Sequence, residues 1–185
     1  MKNIRLDAEV YEQGACFSLT LATAGRKKVF HDERAVELCL EELNAAATGY
    51  SASVYAYCFM PDHLHLLATV PEGVSLLDFV RHFKQLTCYR FRSLPHCRDK
   101  TLWQRRFYDH ALRKEEDINV VATYIWGNPV RAGLVSDLRE YPYWGSLVWD
   151  RQTVSGSEDP DLQGRPTRGH QRNVGECLQT LAKLV

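Results

Sequence analysis

Two histidines with one residue between them, His63 and His65, follow directly after a Pro61–Asp62 pair. The residues on both sides of that pair are rich in β-branched, aromatic and aliphatic types, whereas proline followed by aspartate is typical of a turn. We therefore predict two strands joined by a tight connection. Because side chains two apart on a strand share a face, both imidazoles should project from one side. Such a pair suits metal binding or proton transfer. The alternative is two half-exposed histidines without a chemical role.

A tyrosine and an asparagine four residues apart, Tyr124 and Asn128, form the second candidate. Apolar residues at helical spacing predict a helix over 115–127, with acidic residues in its first turn and Pro129 as a stop. Residues four apart share a helix face, so the phenol and the amide should lie together near the helix end. Taken alone, the pattern also fits a boundary tyrosine and an asparagine cap.

Four motifs in this order resemble the REP-associated tyrosine transposases, part of the single-tyrosine HUH transposase group that includes the IS200-like proteins. They are Met60–Leu67, Leu102–Phe107, Tyr124–Val135 and Tyr141–Ser146, and the resemblance spans roughly residues 14–150. It implies a DNA-nicking and strand-joining enzyme with a ferredoxin-like, HUH-type nuclease core.

The same resemblance implies roles for particular residues. His63, His65 and Asn128 would hold a divalent metal, and Tyr124 would attack the scissile phosphate, form a 5′-phosphotyrosine link and free a 3′-hydroxyl. An amide oxygen suits Mg²⁺ or Mn²⁺, and the histidines favour Mn²⁺ or a softer ion more than Mg²⁺. Tyr89 is the competing nucleophile, but it lies outside the family's Tyr-Ile-x-x-Asn pattern.

The implied partner is single-stranded DNA with palindromic hairpin repeats, cut by a monomer or a homodimer. Two other functions remain open. An α+β sandwich with aromatic residues and a basic face also suits a non-catalytic single-strand binding module. A metal-dependent hydrolase that activates water would use the histidines and leave Tyr124 a bystander.

The apolar patterns predict the order strand, helix, strand, strand, helix, strand, helix. This is an α+β sandwich in which helices cover one face of an antiparallel sheet. We expect the first strand within 14–23, helices starting near Asp32 and Ser75, and a strand within 101–112. A nuclease domain over 1–150 should be followed by a polar tail, 151–185, with a short helix near its end.

Charge is unevenly distributed along a chain of 185 residues whose formal net charge is zero. Nine basic residues and two acidic ones lie between Arg81 and Arg113, whereas residues 32–42 carry five acidic side chains and one arginine. A neutral total counts mildly against nucleic-acid binding, but a local basic face favours it. The residues expected to contact DNA are Arg81, Lys84, Arg90, Trp103, Arg105, Arg106 and Arg131. The alternative is a solvated surface of mixed charge.

The six cysteines are scattered, without a Cys-x-x-Cys pair. This distribution indicates reduced, mostly buried thiols rather than a zinc cluster or a disulfide framework. No apolar run approaches the length of a membrane span, and the first residues lack the apolar stretch of a signal peptide. We therefore expect a cytoplasmic, nucleoid-associated protein without membrane contact.

Overall fold

The computed structural model describes residues 8–94 and 101–150, which fold around a five-stranded antiparallel sheet. The strands are β1 (Cys16–Ala22), β2 (Ser53–Met60), β3 (His63–Thr69), β4 (Tyr108–Ala111) and β5 (Trp144–Gly145), in the spatial order β4-β1-β3-β2-β5. The helices are α1 (Glu33–Gly49), α2 (Leu76–Phe91), α3 (Ile118–Trp126) and the short α4 (Asn128–Arg131). The central strand β3 therefore carries both histidines.

Side-chain caps start the three longer helices. Asp32, Ser75 and Asp117 each accept a hydrogen bond from a backbone N–H in the first turn of α1, α2 and α3 respectively. Such caps satisfy N–H groups that have no partner inside the helix. The caps at Asp32 and Ser75 are as predicted. The third helix begins three residues later than predicted, because Asp117 rather than an earlier residue forms its cap.

The two faces of the sheet are covered by different helices. Leu64 and Leu66 point into the core formed with α1 and α2, whereas Leu67 points into a second core formed with α3. The α+β class is confirmed, and the two long helices share one face as expected. The third helix lies on the opposite face, because apolar residues such as Cys58 point there and are buried by Ile125 and its neighbours.

The fourth strand is shorter than the predicted segment 101–112. Its regular pairing with β1 covers four residues, and Trp103 makes only an isolated bridge with Thr23. The carbonyls of Gln104 and Arg105 accept hydrogen bonds from the Lys84 side chain, at 2.6 and 3.2 Å. Those groups are therefore engaged by α2 instead of by a neighbouring strand.

Some sequence expectations concern residues outside the described ranges. The tail over 151–185, and with it the domain boundary at 150, are in this group, as are Cys97 and Cys177. The other four cysteines are free thiols, and Cys39 and Cys58 are buried. Within 8–94 and 101–150, no helix combines the length and apolarity needed to cross a membrane.

A buried tyrosine fixes the chain after α4 against the sheet. The Tyr141 hydroxyl donates a hydrogen bond to the Phe59 carbonyl at 2.6 Å, and the Phe59 N–H donates to the Tyr143 carbonyl at 2.8 Å. Burial raises the pKa of Tyr141, so the phenol remains a donor. Phe59 is two residues before the turn that leads into His63, so these bonds support the histidine-bearing end of the hairpin.

We expect Tyr141→Phe to lower the free energy of unfolding by about 1–2 kcal/mol, because the substitution removes the donor from a buried carbonyl. Tyr143→Phe is the matched control, since no hydrogen bond of the Tyr143 hydroxyl occurs among the described residues. Urea titration of both variants measures the difference. Equal stability of the two variants would show that the Tyr141 bond contributes nothing.

Candidate active site

His63 and His65 lie next to each other on β3, facing α3. Their side chains are 2% and 3% exposed, and their Nε2 atoms are 3.1 Å apart. The strand alternation predicted a shared face, and the structure places both rings there. Neither histidine is half-exposed, so the alternative of two solvated surface side chains is wrong. Two ring nitrogens from adjacent side chains thus meet at one buried point.

The opposite nitrogen of each ring has its own partner. The Nδ1 of His63 lies 2.6 Å from Asp62 Oδ1, and the Nδ1 of His65 lies 3.1 Å from Thr20 Oγ1. An ionised carboxylate only accepts, so Nδ1 of His63 carries a proton and, in the neutral ring, Nε2 holds the lone pair. A threonine hydroxyl can donate or accept, so it permits either tautomer of His65.

Burial keeps both rings neutral. Desolvation lowers the pKa of His63, although the Asp62 carboxylate acts in the opposite direction. The pKa of His65 is lowered further, by complete burial, then by the charge that a protonated His63 would carry, and by the positive charges of Arg131 and Arg26. Neutral imidazole is the form that binds metals and accepts protons. Both rings are therefore available as ligands at neutral pH.

The residues present fit a divalent metal held by the two Nε2 atoms. An ion about 2.1 Å from each nitrogen, with the two bonds at a right angle, requires a nitrogen–nitrogen separation of about 3 Å. The observed 3.1 Å matches this requirement. No group of three His, Cys, Asp or Glu side chains suited to a metal occurs in the described part of the chain. The remaining ligand expected from the sequence motifs is the amide oxygen of Asn128.

The amide of Asn128 lies at the junction of α3 and α4 and is 8% exposed. Its Nδ2 donates to the Ile125 carbonyl at 3.0 Å, which fixes Oδ1 as the outward atom of the amide. Arg131 Nη2 donates to that Oδ1 at 2.9 Å. An amide oxygen has two lone pairs, so one remains for a metal. This arrangement is compatible with the ligand role expected of Asn128.

Tyr124 is half-buried on α3, and the Arg131 guanidinium covers its ring, with Cζ 3.7 Å from the ring centroid. The same guanidinium donates to the Tyr124 backbone carbonyl. The positive charge of Arg131 also contributes to lowering the pKa of His65. Arg131 therefore contacts two of the candidates, Tyr124 and Asn128, and acts on His65 through its charge.

The other residues expected to contact DNA lie on the α2 side of the sheet. Arg81 pairs with Asp78, and Arg90 bonds Glu41 and Glu42 of α1 at 2.7 Å each. The acidic and basic stretches of the sequence thus partly neutralise each other. Arg105 and Arg106 are exposed. A strand of DNA in contact with both α2 and Tyr124 would have to pass around an edge of the sheet.

Trp103 occupies a core position instead of a surface one. It is 3% exposed, packs against Phe30 and Phe83, and donates from Nε1 to Thr87 at 2.7 Å. DNA could contact this ring only if the side chains packed around it moved apart. The adjoining groove, about 320 Å³ in volume, is lined by both apolar and basic side chains, among them Phe107 and Lys84.

Sequence patterns missed two residues that contact the histidines. Thr20 lies opposite His65 in the β1–β3 pairing, and Asp62 belongs to the turn. The sequence placed Asp62 in the turn, and its carboxylate contacts His63 on the nitrogen away from the other ring. The alternation of β1 puts Thr20 on the face opposite Phe17 and Leu19, which was a usable signal. The pairing register that brings Thr20 opposite His65 could not be predicted from the sequence.

Comparison with known proteins gives consistent results. The family model described as transposase, IS200-like, matches residues 14–128. A Haemophilus influenzae protein assigned as a REP-associated tyrosine transposase is 28% identical over 153 residues, covering 77% of this chain and 84% of that protein. The REP-associated tyrosine transposase of Escherichia coli K12 is 32% identical over 91 residues, covering 49% of this chain and 52% of that protein.

A solved structure shares the fold. The structure of a REP-associated tyrosine transposase bound to a REP hairpin superimposes with a TM-score of 0.69 at 21% sequence identity. The match covers 91% of this chain and 94% of that one. At this identity the likeness establishes the architecture, and it agrees with the sheet and helices described above.

The lowered histidine pKa values give a pH dependence of stability. Unfolded histidines bind protons below about pH 6.5, whereas the folded rings resist protonation. Unfolding should therefore become easier as the pH falls from about 6.5 through the lowered pKa values, by up to about 1.4 kcal/mol per pH unit for each histidine. We expect His65→Asn to flatten this slope in the metal-free protein. Urea titrations between pH 7.5 and 5 in chelator test this, and identical slopes in the unmodified protein and in His65→Asn would contradict it.

Proposed function

The chain belongs to the IS200-like transposase family, and from that membership we propose that it is a single-stranded DNA endonuclease and strand transferase. The reaction class expected of this family is cleavage and joining of DNA. Its substrate would be a strand beside palindromic hairpin repeats. The support for that substrate is that two relatives are REP-associated transposases and that the structural neighbour is bound to a REP hairpin.

The observation that carries the mechanism is the meeting of the two Nε2 atoms on the sheet face that α3 covers. Tyr124 lies on that helix, and Asn128 follows at its end. A purely binding module has no requirement for two desolvated, neutral imidazoles directed at one point. A nuclease has that requirement, because it must neutralise charge at a phosphate.

His63, His65 and Asn128 would hold Mg²⁺ or Mn²⁺ through Nε2, Nε2 and Oδ1. When bound, the ion would polarise a phosphate oxygen and offset the negative charge that develops there. Asp62 and Thr20 would orient the two imidazoles from behind, as hydrogen-bond partners of metal-binding histidines commonly do.

Tyr124 would act as the nucleophile. Its phenolic oxygen would form a bond to phosphorus as the bond from phosphorus to the 3′-oxygen breaks, leaving a 5′-phosphotyrosine and a free 3′-hydroxyl. The phenolic proton leaves Tyr124, and the departing 3′-oxygen gains one. Because a phosphodiester is exchanged for a phosphodiester, a 3′-hydroxyl could later reverse the step and rejoin a strand without a nucleotide cofactor.

We expect Tyr124→Phe to abolish a metal-dependent covalent complex between protein and labelled single-stranded DNA that carries hairpins from the source genome. Tyr89→Phe is the matched control, because Tyr89 is the competing tyrosine and its side chain is 77% exposed on α2. Denaturing gels with Mn²⁺, Mg²⁺ or chelator measure the complex.

Other results would change the assignment. A covalent complex that persists in Tyr124→Phe would exclude Tyr124 as the nucleophile. Cleavage without any complex would indicate a hydrolase that uses water. Tight hairpin binding without cleavage, across several hairpins, would indicate a non-catalytic binding module.

Removal of the hydroxyl that contacts His65 should weaken metal binding. We expect Thr20→Val to reduce the affinity for Mn²⁺ by about 10- to 100-fold, since the imidazole loses the partner that orients it. Thr20→Ser keeps a hydroxyl and should bind nearly as the unmodified protein does. Electron paramagnetic resonance of free Mn²⁺ measures both, and an unchanged affinity in Thr20→Val would remove the orienting role.

A further inference from the structure

Arg131 makes more contacts within the candidate site than a surface arginine requires. Its guanidinium covers the Tyr124 ring at 3.7 Å, donates to the Tyr124 carbonyl, and donates to Asn128 Oδ1 at 2.9 Å. The residue as a whole remains exposed. One cation therefore lies between the proposed nucleophile and the proposed third metal ligand.

The glycine between α3 and α4 provides the space for this cation. Gly127 has φ −72°, a value that any residue adopts, so its backbone does not require glycine. A Cβ built at Gly127 would come within 2.6 Å of Arg131 Nη1. A side chain at 127 would therefore displace the guanidinium, while the end of the long arginine chain could move without disturbing the fold.

The hydrogen bonds that Arg131 makes leave part of its guanidinium available. A guanidinium has five N–H donors, and both acceptors named above are served by Nη2. The bonds to the Tyr124 carbonyl and to Asn128 Oδ1 therefore use the N–H groups of Nη2, and Nη1 lies beside Gly127. Nη1 and Nε face different edges of the planar guanidinium, so each can donate to a single phosphate oxygen, and the delocalised positive charge offsets the charge of the phosphate.

From these contacts we propose that Arg131 is a catalytic residue that binds the non-bridging oxygens of the phosphate attacked by Tyr124. This proposal rests on the function proposed above and assigns a group to the substrate side of that reaction. Arg131 exchanges no proton. It offsets charge as the Tyr124–phosphorus bond forms and the 3′-oxygen departs, and its Nη2 contacts keep nucleophile and metal ligand in place.

Excess metal should affect the reaction rate differently in the two possible roles of Arg131. If Arg131 only orients Asn128, its loss weakens metal binding, and saturating Mn²⁺ then restores the reaction. If Arg131 binds the phosphate, the reaction stays slow even when the metal site is full. The rate at saturating Mn²⁺ therefore distinguishes phosphate binding from a role limited to orienting Asn128.

The experiment measures the rate of covalent complex formation at saturating Mn²⁺, together with Mn²⁺ affinity and hairpin binding, for variants of the full chain. Arg131→Gln removes the cation, Arg131→Lys keeps a positive charge but removes the planar guanidinium with its Nη2 contacts, and Gly127→Ala keeps the arginine but displaces it. Gly49→Ala is the control for a helical glycine, since nothing lies within 4 Å of its added Cβ. Arg139→Gln is the control for charge, because this exposed arginine pairs with Asp137.

We expect Arg131→Gln and Arg131→Lys to lose about 100-fold or more in rate at saturating Mn²⁺, as when a donor to a developing oxyanion is removed. Gly127→Ala should lose about 10- to 100-fold through misplacement of the guanidinium. Both controls should match the unmodified protein. In Arg131→Ala, added guanidinium ion should restore part of the rate, whereas urea, which has a similar shape without the charge, should not.

Two results would overturn the proposal while leaving the proposed function intact. One is a full rate in Arg131→Gln at saturating Mn²⁺. The other is a loss in Arg131→Ala that guanidinium ion fails to reverse, combined with a full rate in Gly127→Ala. If the unmodified protein forms no covalent complex, the proposed function itself fails, and that outcome is visible before any variant is compared.

Discussion

Two buried, neutral imidazoles whose Nε2 atoms lie 3.1 Å apart are the feature on which the candidate site depends. Desolvation makes it costly to protonate either ring, so the pair stays in the form that donates electron pairs. Each ring is also fixed from behind, by Asp62 and by Thr20. Without a metal, Nε2–H of His65 can donate to the lone pair of His63 Nε2, and a bound metal would take the place of that proton.

The fold supplies this geometry through three separate elements. The central strand β3 carries the histidines, its neighbour β1 supplies Thr20, and the turn after β2 supplies Asp62. On the same face, α3 brings Tyr124, and the short α4 brings Asn128 and Arg131. Gly127 lets Arg131 fold back over the tyrosine. The site therefore depends on strand register and on the close junction of two helices.

The sequence was sufficient for features that depend on neighbours in the chain. The turn before His63, the shared face of the two histidines and the caps at Asp32 and Ser75 follow from local chemistry, and the structure has all of them. Features set by long-range packing could not be predicted from the sequence. The contact of Thr20 with His65 depends on register, and the core position of Trp103 depends on how residues 101–107 meet α2. Arg90 was expected to face DNA, but α1 packs beside it and supplies two carboxylates.

The most specific feature of the proposed reaction is the identity of the protein atom that carries the DNA. Tandem mass spectrometry of the proteolysed covalent complex identifies that atom directly. We expect a nucleotide joined through its 5′-phosphate to the peptide that contains Tyr124, with the released strand ending in a 3′-hydroxyl. A nucleotide on another residue, or cleavage fragments with free 5′-phosphates and no modified peptide, would contradict the assignment of Tyr124 as the nucleophile.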